Sequence, residues 1–375
     1  MKQSIYYLLA GLFLMTACNM NKTANLSEME VIPIDNNLSD EPALKNIRYI
    51  KLETSDECLL ENVQKVIVYN EKIYILSSVG NGNVYVFLSN GQFVTKFNKG
   101  EGPEDIMYPT DIAIHEENGT LAILDTYRNI KEFNLDDYSF YKKTSFENPY
   151  FALEIIGKDI LLFDPNSQSK SDYYLYNLTE DRKMFRKPFK GKFFSQSNFF
   201  TKINKQATLV SCIFSDTIFH MDSQSKTWVP YFLLDTKGKS ANLHLDDIHS
   251  LAEYTKMIEG NDYLSGVCDF SLLNDKLFFS LKGKQNVFVT YEKGKSTIHH
   301  RLFQDFPNIY TSSGRTDKEV IFAIDMPWLM EYFEEHEPTT AIGKELKEKC
   351  TDENDNPVLL LAFFNNHIML CDVCQ

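Results

Sequence analysis

The sequence is short of basic residues. Its 38 Lys and Arg residues face 52 Asp and Glu residues, which gives a formal net charge of −14 at pH 7. A protein that binds nucleic acid needs a concentrated basic patch to displace the counterions of the phosphates. We therefore expect no nucleic acid among the partners. The acidic balance favours solubility and carries no information about the fold.

Long hydrophobic runs are also missing. The apolar run from Ile5 to Ala17 is too short to span a bilayer as a helix, and no later run approaches a spanning length free of charge. The run follows Lys2 and has the position of the apolar segment in a secretory signal. The sequence therefore predicts a signal peptide over residues 1–17 and an exported mature protein.

The residue after this run predicts a lipid anchor. Met15-Thr16-Ala17-Cys18 resembles a bacterial lipobox, in which signal peptidase II cleaves before the cysteine and acyl chains on that cysteine hold the protein at a membrane. The alternative is an ordinary secretory signal followed by a chance cysteine. Residues 18–41 are polar and without a clear period, so we predict lipid attachment at Cys18 followed by a flexible tether.

The common phosphate-binding and catalytic motifs are absent as well. KGEGPEDIMYP, residues 99–109, matches neither Gly-x4-Gly-Lys-Ser/Thr nor Gly-x-Gly-x-x-Gly, and its acids Glu101, Glu104 and Asp105 do not have the spacing of a calcium loop. The sequence contains no His-Glu-x-x-His and no Gly-x-Ser-x-Gly. From the residues alone, no catalytic residue and no metal ligand can be assigned.

A structural interpretation of KGEGPEDIMYP remains. Two glycines and two prolines between β-like runs are typical of a connection between two strand sets. We expect Gly100 and Gly102 to take positive φ angles, and Pro103 and Pro109 to fix the bend. The stretch is thus predicted to link one group of strands to the next.

The sequence is rich in short alternating or apolar runs that contain many of its 28 Phe and 20 Tyr residues. Both residue types favour strands. Groups of about four such runs recur at roughly 40–50 residues, which is the period of propeller blades. We predict six groups, and they span residues 63–97, 110–145, 151–189, 206–234, 265–303 and 318–371.

Residues 42–375 are therefore predicted to be one all-β domain, a six-bladed β-propeller with short helical insertions. The last blade is interrupted at 327–350 and needs a further strand, which 47–53 can supply. Pairing of the N- and C-terminal strands would close the ring and remove exposed sheet edges. A two-sheet sandwich is the alternative, but it rarely needs so many strands.

A second insertion, residues 243–258, also has a helical pattern. Four apolar side chains are predicted to share one face of a continuous helix: Leu243, Leu251, Tyr254 and Ile258. Insertions in connections between strands are tolerated and often carry ligand surfaces.

The segment FVTKFNKGEGPEDIMYPTDIAIHEENGTLAILDTYRNIKEFNLD resembles the repeat of the six-bladed β-propeller lipoproteins common in Gram-negative anaerobes. These are distant relatives of NHL-repeat propellers. The resemblance implies a propeller that is lipid-anchored to the outer membrane, on its periplasmic face or at the cell surface, and it implies no particular reaction. The matching residues are Gly100, Gly102, Pro103, Glu104, Pro109, Asp125 and Asn129.

The favoured function is a binding or scaffolding module without catalytic activity, because a rigid ring leaves its loops free to vary. Asp125, Tyr127 and Arg128, at a strand end, are candidate binding residues. The alternative for them is structural, with Asp125 accepting hydrogen bonds from loop amides and Arg128 exposed. Besides the membrane, which it contacts through its lipid anchor, the candidate partners are a carbohydrate, a peptide or an outer-membrane protein.

The competing function is a hydrolase or lyase that acts on a sugar or small ester. Such an enzyme would hold a metal ion, calcium in the first instance, in the central funnel, with carboxylate oxygens about 2.3–2.6 Å from it. The terminal pair Cys371 and Cys374 has the spacing of metal ligands, but no second Cys or His pair lies at zinc-site distance in the sequence. The pair is interpreted as free thiols or a disulfide, and we predict no cofactor.

Overall fold

A computed structural model describes residues 29–34, 38–77, 82–164, 173–186, 200–204, 207–211, 214–222, 227–273, 276–306, 309 and 311–364. Strands dominate these residues, and most of them follow one another as antiparallel neighbours. The described residues begin with three short strands that pair with partners far along the sequence: β1 (Glu30–Pro33), β2 (Leu38–Ser39) and β3 (Asn46–Lys51).

The next twelve strands form three sets of four, each paired antiparallel in sequence order. Set 1 contains β4 (Val63–Tyr69), β5 (Lys72–Ser77), β6 (Val84–Leu88) and β7 (Phe93–Lys96). Set 2 contains β8 (Pro109–His115), β9 (Thr120–Asp125), β10 (Asn129–Asn134) and β11 (Phe140–Ser145). Set 3 contains β12 (Ala152–Ile156), β13 (Asp159–Phe163), β14 (Tyr173–Asn177) and β15 (Arg182–Arg186).

Three further sets follow the same order. Set 4 contains β16 (Phe200–Asn204), β17 (Ala207–Val210), β18 (Thr217–Asp222) and β19 (Thr227–Asp235). Set 5 contains β20 (Val267–Leu273), β21 (Lys276–Leu281), β22 (Val287–Glu292) and β23 (Lys295–His299). Set 6 contains β24 (Gly314–Arg315), β25 (Val320–Ile324), β26 (Val358–Phe363) and the N-terminal strand β3.

The pairing of β3 with β26 confirms the sequence prediction that the N-terminal strand completes the last set. The two strands run antiparallel, from Lys51 opposite Val358 to Asn46 opposite Phe363. Sets 6 and 1 also meet at a single parallel bridge between β24 and β4, so that together they form one eight-stranded sheet.

The tether prediction is wrong for residues 30–33 and 38–39. β1 adds a parallel fifth strand to the outer edge of β19, and β2 does the same for β23. A fifth strand is held by backbone hydrogen bonds to an existing edge, so it needs little of the alternating pattern by which strands are found in a sequence. The predicted signal peptide and Cys18 lie outside the described residues.

The apolar core is divided into six large clusters, and each joins side chains from two successive sets. Tyr74 and Ile123 belong to the cluster between sets 1 and 2. Ile75 and Leu361 belong to the cluster between sets 1 and 6. Each fully buried side chain of this size contributes about 1.5–3 kcal/mol. The protein is therefore mostly β and propeller-like, with the sets packed face to face in chain order.

The insertion after set 4 is not the continuous helix that the sequence predicts. A 3₁₀ helix (Ala241–Asp247) ends before Ile248, and Ser250 caps a separate helix α1 (Leu251–Asn261). Leu243 lies in the 3₁₀ helix, apart from the helix that buries Tyr254 and Ile258, and it is exposed. Leu251, the first residue of α1, is exposed as well.

The insertion in set 6 does contain helices, as predicted. These are α2 (Met326–Glu335) and α3 (Ala341–Lys349), and the Thr340 hydroxyl caps the start of α3 by accepting a hydrogen bond from the N–H of Gly343. Within the described ranges, no helix combines the length and the apolar character needed to cross a bilayer.

Candidate functional site

The first strand of every set carries a charged residue close to its beginning. The charged residue is third in β4, β8, β12, β16 and β20, and second in β24. We call these six residues the first-strand charges. They are Lys65, Asp111, Glu154, Lys202, Asp269 and Arg315.

Lys65 and Asp111 connect the first three sets. The Nζ atom of Lys65 lies 2.7 Å from Oδ1 of Asp111, and Oδ2 of Asp111 accepts a hydrogen bond of 2.7 Å from the backbone N–H of Leu153. The Lys65 side chain is 24% exposed. The pair therefore joins β4, β8 and β12 and remains in contact with solvent.

Arg315 connects the other three sets. Its Nη1 atom donates to the hydroxyl of Thr201 in β16 and to the backbone carbonyl of Phe270 in β20. The guanidinium also interacts electrostatically with Asp269 and with Glu154 in β12. A short strand of two residues thus places one cation where four sets meet.

Asp269 is the most buried charge of the group, with 5% exposure. Burial raises the pKa of its carboxyl group, and this effect outweighs the opposing influence of Arg315 and of the Ser312 hydroxyl, which donates to Oδ1 at 3.1 Å. The backbone of Asp269 has a φ of 50°. A non-glycine residue with positive φ inside a strand is uncommon and needs support from its surroundings.

Four of the first-strand charges lie at irregularities in strand pairing. The register shifts between Val63 and Lys65, between Pro109 and Asp111, between Lys202 and Asn204, and across Asp269. An extra residue at such a β-bulge breaks the alternation of the strand and redirects a side chain. The bulges explain how charged residues occupy strands whose other side chains are largely buried and apolar.

All six first strands begin at one end of the molecule. β24 pairs parallel with β4 through Gly314 and Val66, and the contacts of Lys65, Asp111 and Arg315 join residues close to the start of each strand. We call this end the linker end, because the connections from one set to the next arrive there.

Three aromatic side chains lie at the linker end, and we call them the aromatic cluster. Two of them are close in the chain to the backbone that Asp111 joins, because Tyr108 precedes Asp111 by three residues and Phe151 precedes Leu153 by two. Tyr108 directly precedes β8, Phe151 directly precedes β12, and Tyr127 lies in the β9–β10 connection. The ring centroids of Tyr108 and Tyr127 are 5.6 Å apart, and those of Tyr127 and Phe151 are 4.6 Å apart. Tyr108 is 38% exposed, and the cluster forms an aromatic surface open to solvent.

The connection that presents Tyr127 is conformationally unusual. Thr126 and Tyr127 have φ angles of 55° and 61°, a region that favours glycine or asparagine over a β-branched or aromatic residue. A non-glycine residue held in this backbone conformation lowers the stability of the folded state by about 1–3 kcal/mol. Burial and a hydrogen bond with Tyr108 raise the pKa of Tyr127 to about 12, so the phenol stays protonated at neutral pH.

Of the three candidate binding residues, the structure places only Tyr127 in this surface. Asp125 is buried, and its Oδ1 atom accepts hydrogen bonds from the backbone N–H groups of Met107 and Tyr108 at 3.1 and 2.6 Å. Its Oδ2 atom lies 3.0 Å from Nζ of Lys131. Asp125 therefore holds the linker in place, while Arg128 is exposed beside it.

The linker from β7 to β8 needs its glycines for a different reason than predicted. Neither Gly100 nor Gly102 has a positive φ. Instead, a Cβ atom on either residue would come within 2.5 or 2.6 Å of Oδ2 of Asp105, which also accepts a hydrogen bond from the N–H of Gly102 at 3.2 Å. The glycines make room for a carboxylate that folds back onto the loop.

The model of the family described as Domain of unknown function (DUF4934) matches residues 29–363. The chain belongs to this family. The matched range starts before β1 and ends with β26, so the DUF4934 domain includes the three N-terminal strands as well as all six sets.

One solved structure shows the same fold as this DUF4934 chain, and two others are similar at a lower level. A Bacteroides fragilis protein described as exported aligns with a TM-score of 0.74 at 21% identity, covering 90% of this chain and all of its own. The WD40 domain of Neurospora crassa Pan2 covers 81% of this chain and 75% of its own, with a TM-score of 0.42 at 8% identity. BamB from Moraxella catarrhalis aligns with a TM-score of 0.42 at 8% identity, covering 73% of this chain and 72% of its own.

The last two TM-scores lie below 0.5, and these two resemblances carry no weight. No curated protein matches the sequence. The resemblance seen in the sequence is thus confirmed for a propeller-like fold, while the NHL relationship and the lipid anchor stay predictions.

The described part of the DUF4934 chain contains no candidate metal site. Nowhere in it do three or more His, Cys, Asp or Glu side chains lie close enough together to bind one metal ion. Cys58, Cys268 and Cys350 are buried thiols. The pair Cys371 and Cys374 lies outside the described residues.

Proposed function

We propose that this DUF4934 protein is an exported, lipid-anchored binding module whose ligand binds at the linker end. The observation that carries this proposal is the position of the aromatic cluster at the same end of the molecule as the Lys65–Asp111 pair. Ligand sites typically combine aromatic surface with a few polar groups that fix orientation. The Lys65 side chain is 24% exposed, so part of this polar group is within reach of a ligand. Lys202 does not contribute at this end, because its Nζ atom lies 2.9 Å from Oε1 of Glu116 in the β8–β9 turn, at the opposite end of β8.

The proposal includes closure of the six sets into a six-bladed ring. It is supported by the six apolar clusters between successive sets, one of which joins sets 6 and 1. It is also supported by the antiparallel pairing of β3 with β26. Closure would hold the six first strands side by side and keep the first-strand charges together.

The proposal also includes export and acylation of Cys18. The lipobox-like sequence supports it, as does the description of the Bacteroides fragilis relative as exported. Substitution Cys18→Ser should move the protein from the membrane fraction to the soluble or secreted fraction. Retention of the Cys18→Ser protein at the membrane would contradict the anchor.

The direction of β1 suggests how the module is displayed. Strands β16 to β19 alternate in direction, so β19 runs towards the linker end, and β1 runs parallel to it. The chain therefore enters the domain from the opposite end. Cys18 precedes Met29 by about 11 residues, at most about 40 Å of extended chain. An anchor at Cys18 would leave the aromatic cluster facing away from the membrane.

A thermal-shift screen tests the binding function. The full chain is heated with members of a panel of saccharides, peptides, amino acids and nucleosides, in parallel with the double variant Tyr108→Ala/Tyr127→Ala. We expect at least one class to raise the Tm of the wild type and not of the variant, because a ligand stabilises only the form that binds it. Equal shifts in both proteins would place the ligand elsewhere.

A further inference from the structure

We propose that the ligand is a neutral saccharide, with a sugar ring packed on the aromatic cluster and its hydroxyl groups directed towards the first-strand charges. This inference rests on the proposed binding function and adds the chemical class of the ligand. It is argued from the geometry of the cluster, the balance of the charges and the state of the sheet edges.

The aromatic cluster has the form of a stacking surface. Its rings are tilted by 44° and 46° relative to one another and so are not stacked in parallel. Tyr108 is 38% exposed, and Tyr127 and Phe151 are partly exposed. The negative face of an aromatic ring attracts the polarised C–H groups on one side of a sugar ring. The strained backbone at Thr126 and Tyr127 fixes the central ring of this surface in place.

The first-strand charges favour a ligand without net charge. Three are cations and three are anions: Lys65, Lys202 and Arg315, and Asp111, Glu154 and Asp269. A formal charge on a ligand would meet groups of both signs and gain little from them. A hydroxyl group can donate to a carboxylate and accept from a lysine or arginine, so a polyhydroxylated ligand can bond to the accessible Lys65 ammonium and to carboxylate oxygens without bringing a charge of its own.

A peptide is the main rival, and in sets 4 and 5 the sheet edges argue against its most common mode of binding. Among the described residues, β7, β11 and β15 end sets 1, 2 and 3 without an added strand. Extended peptides often add a strand to an open edge. In sets 4 and 5 the outer edge is already paired with β1 and β2, and Tyr49 and Lys51 of β3 in set 6 bond to α3. A peptide could still dock on the aromatic cluster, and it is therefore included in the test.

Isothermal titration calorimetry of the full chain, in a detergent without a sugar head group, tests the inference. The probes are the neutral hexasaccharides of glucose, xylose and mannose, the hexamer of galacturonic acid, and proline-rich and mixed-sequence decapeptides. We expect a neutral hexasaccharide to bind the wild type. Tyr127→Ala and Phe151→Ala should each weaken it about tenfold or more, as is usual for a central aromatic contact.

Two variants separate stacking from folding. Tyr127→Phe keeps the ring and loses the hydroxyl, so binding should stay within about threefold of the wild type. Tyr141→Ala removes an equally aromatic side chain that is 52% exposed on the outer strand β11, and binding should not change. A matching loss with Tyr141→Ala would overturn the assignment to the aromatic cluster.

The other possible results of the titrations also test the proposal. Tighter binding of the galacturonate hexamer than of any neutral one overturns the choice of a neutral ligand. Peptide binding that Tyr127→Ala abolishes overturns the saccharide but leaves the binding function in place. Binding of none of the probes overturns the saccharide, and the thermal-shift panel then decides the binding function separately.

Discussion

Two groups of charged side chains in this protein differ in how they are assembled. The set 2 polar cluster takes one residue from each strand of a single set: His115, Thr120, Glu132 and Lys142. Glu132 is fully buried, and its carboxylate oxygens lie 3.1 Å from Nδ1 of His115, 2.7 Å from the Thr120 hydroxyl and 3.1 Å from Nζ of Lys142. The first-strand charges take one residue from each of six sets.

The difference lies in sequence separation and in access to solvent. The set 2 polar cluster spans residues 115–142 and joins strands that would be neighbours in any case. The first-strand charges span residues 65–315, join different sets, and keep partial exposure at Lys65 and Lys202. A local cluster supports one sheet, whereas the dispersed group can both fasten the sets together and face a ligand.

Among the substitutions that test this difference, removal of Arg315 should lower the free energy of unfolding most. Arg315→Met would leave the carbonyl of Phe270 without its charged donor, and it would remove the cation that interacts electrostatically with Asp269 and Glu154. We expect the free energy of unfolding to fall by about 3 kcal/mol, because breaking a buried charge network by removing one partner is costly. Urea unfolding followed by circular dichroism measures this through the midpoint, at an unchanged slope.

Arg128→Met is the matched control for Arg315→Met. Arg128 is exposed, so the same substitution should change stability by less than about 0.5 kcal/mol. An equal, small effect for both variants would show that Arg315 does not fasten sets 4, 5 and 6 together. The distinction between the two groups of charges would then be lost.

Glu132→Gln should cause the next largest loss of stability, and the size of this loss should depend on pH. Burial alone would raise the pKa of Glu132, but His115, Thr120 and Lys142 outweigh it and lower the pKa from 4.5 to about 2. The ionised carboxylate therefore stabilises the folded state fully above pH 4.5, and this contribution is lost as the pH falls towards 2. At pH 7 we expect Glu132→Gln to cost about 2 kcal/mol.

Chemical denaturation between pH 7 and pH 2 measures this dependence. The stability difference between the wild type and Glu132→Gln should shrink below pH 4.5 and disappear near pH 2. Glu104→Gln, at an exposed position in the linker, serves as the control with little difference at any pH. A difference that stays constant with pH would mean that the charge of Glu132 does not stabilise set 2.

Much of the fold is predictable from the sequence, because regular strands repeat a pattern of buried side chains. The strands that escape prediction are those that depend on partners elsewhere. β24 has two residues and exists through its pairing with Val66 and Val320, and β16 lies just outside the predicted fourth group. β1 and β2 are held by edges that the sequence does not reveal.

The candidate site is less predictable, although a signal was present. In five sets the third residue of the first strand is charged: Lys65, Asp111, Glu154, Lys202 and Asp269. Superimposing the repeats on one another would have revealed this position. Arg315 would have remained hidden, since its strand is too short to align, and Asp125 stood out although its carboxylate only holds the linker.

Lys65→Met should lower the free energy of unfolding least. Its effect tests whether the Lys65–Asp111 pair behaves like an ordinary ion pair at the protein surface. Asp111 would keep its hydrogen bonds from the N–H groups of Ile112 and Leu153, so only the ion pair is lost. Because the Lys65 side chain is 24% exposed, we expect a loss of about 1 kcal/mol or less.

Unfolding at 0.05 M and 1 M NaCl should show the loss shrinking with salt, as screening weakens accessible pairs. Lys293→Met, whose side chain is 89% exposed, should show almost none. A loss as large as that of Arg315→Met and insensitive to salt would mean that Lys65 is sealed from solvent, which would remove it from the groups that a ligand at the linker end can reach.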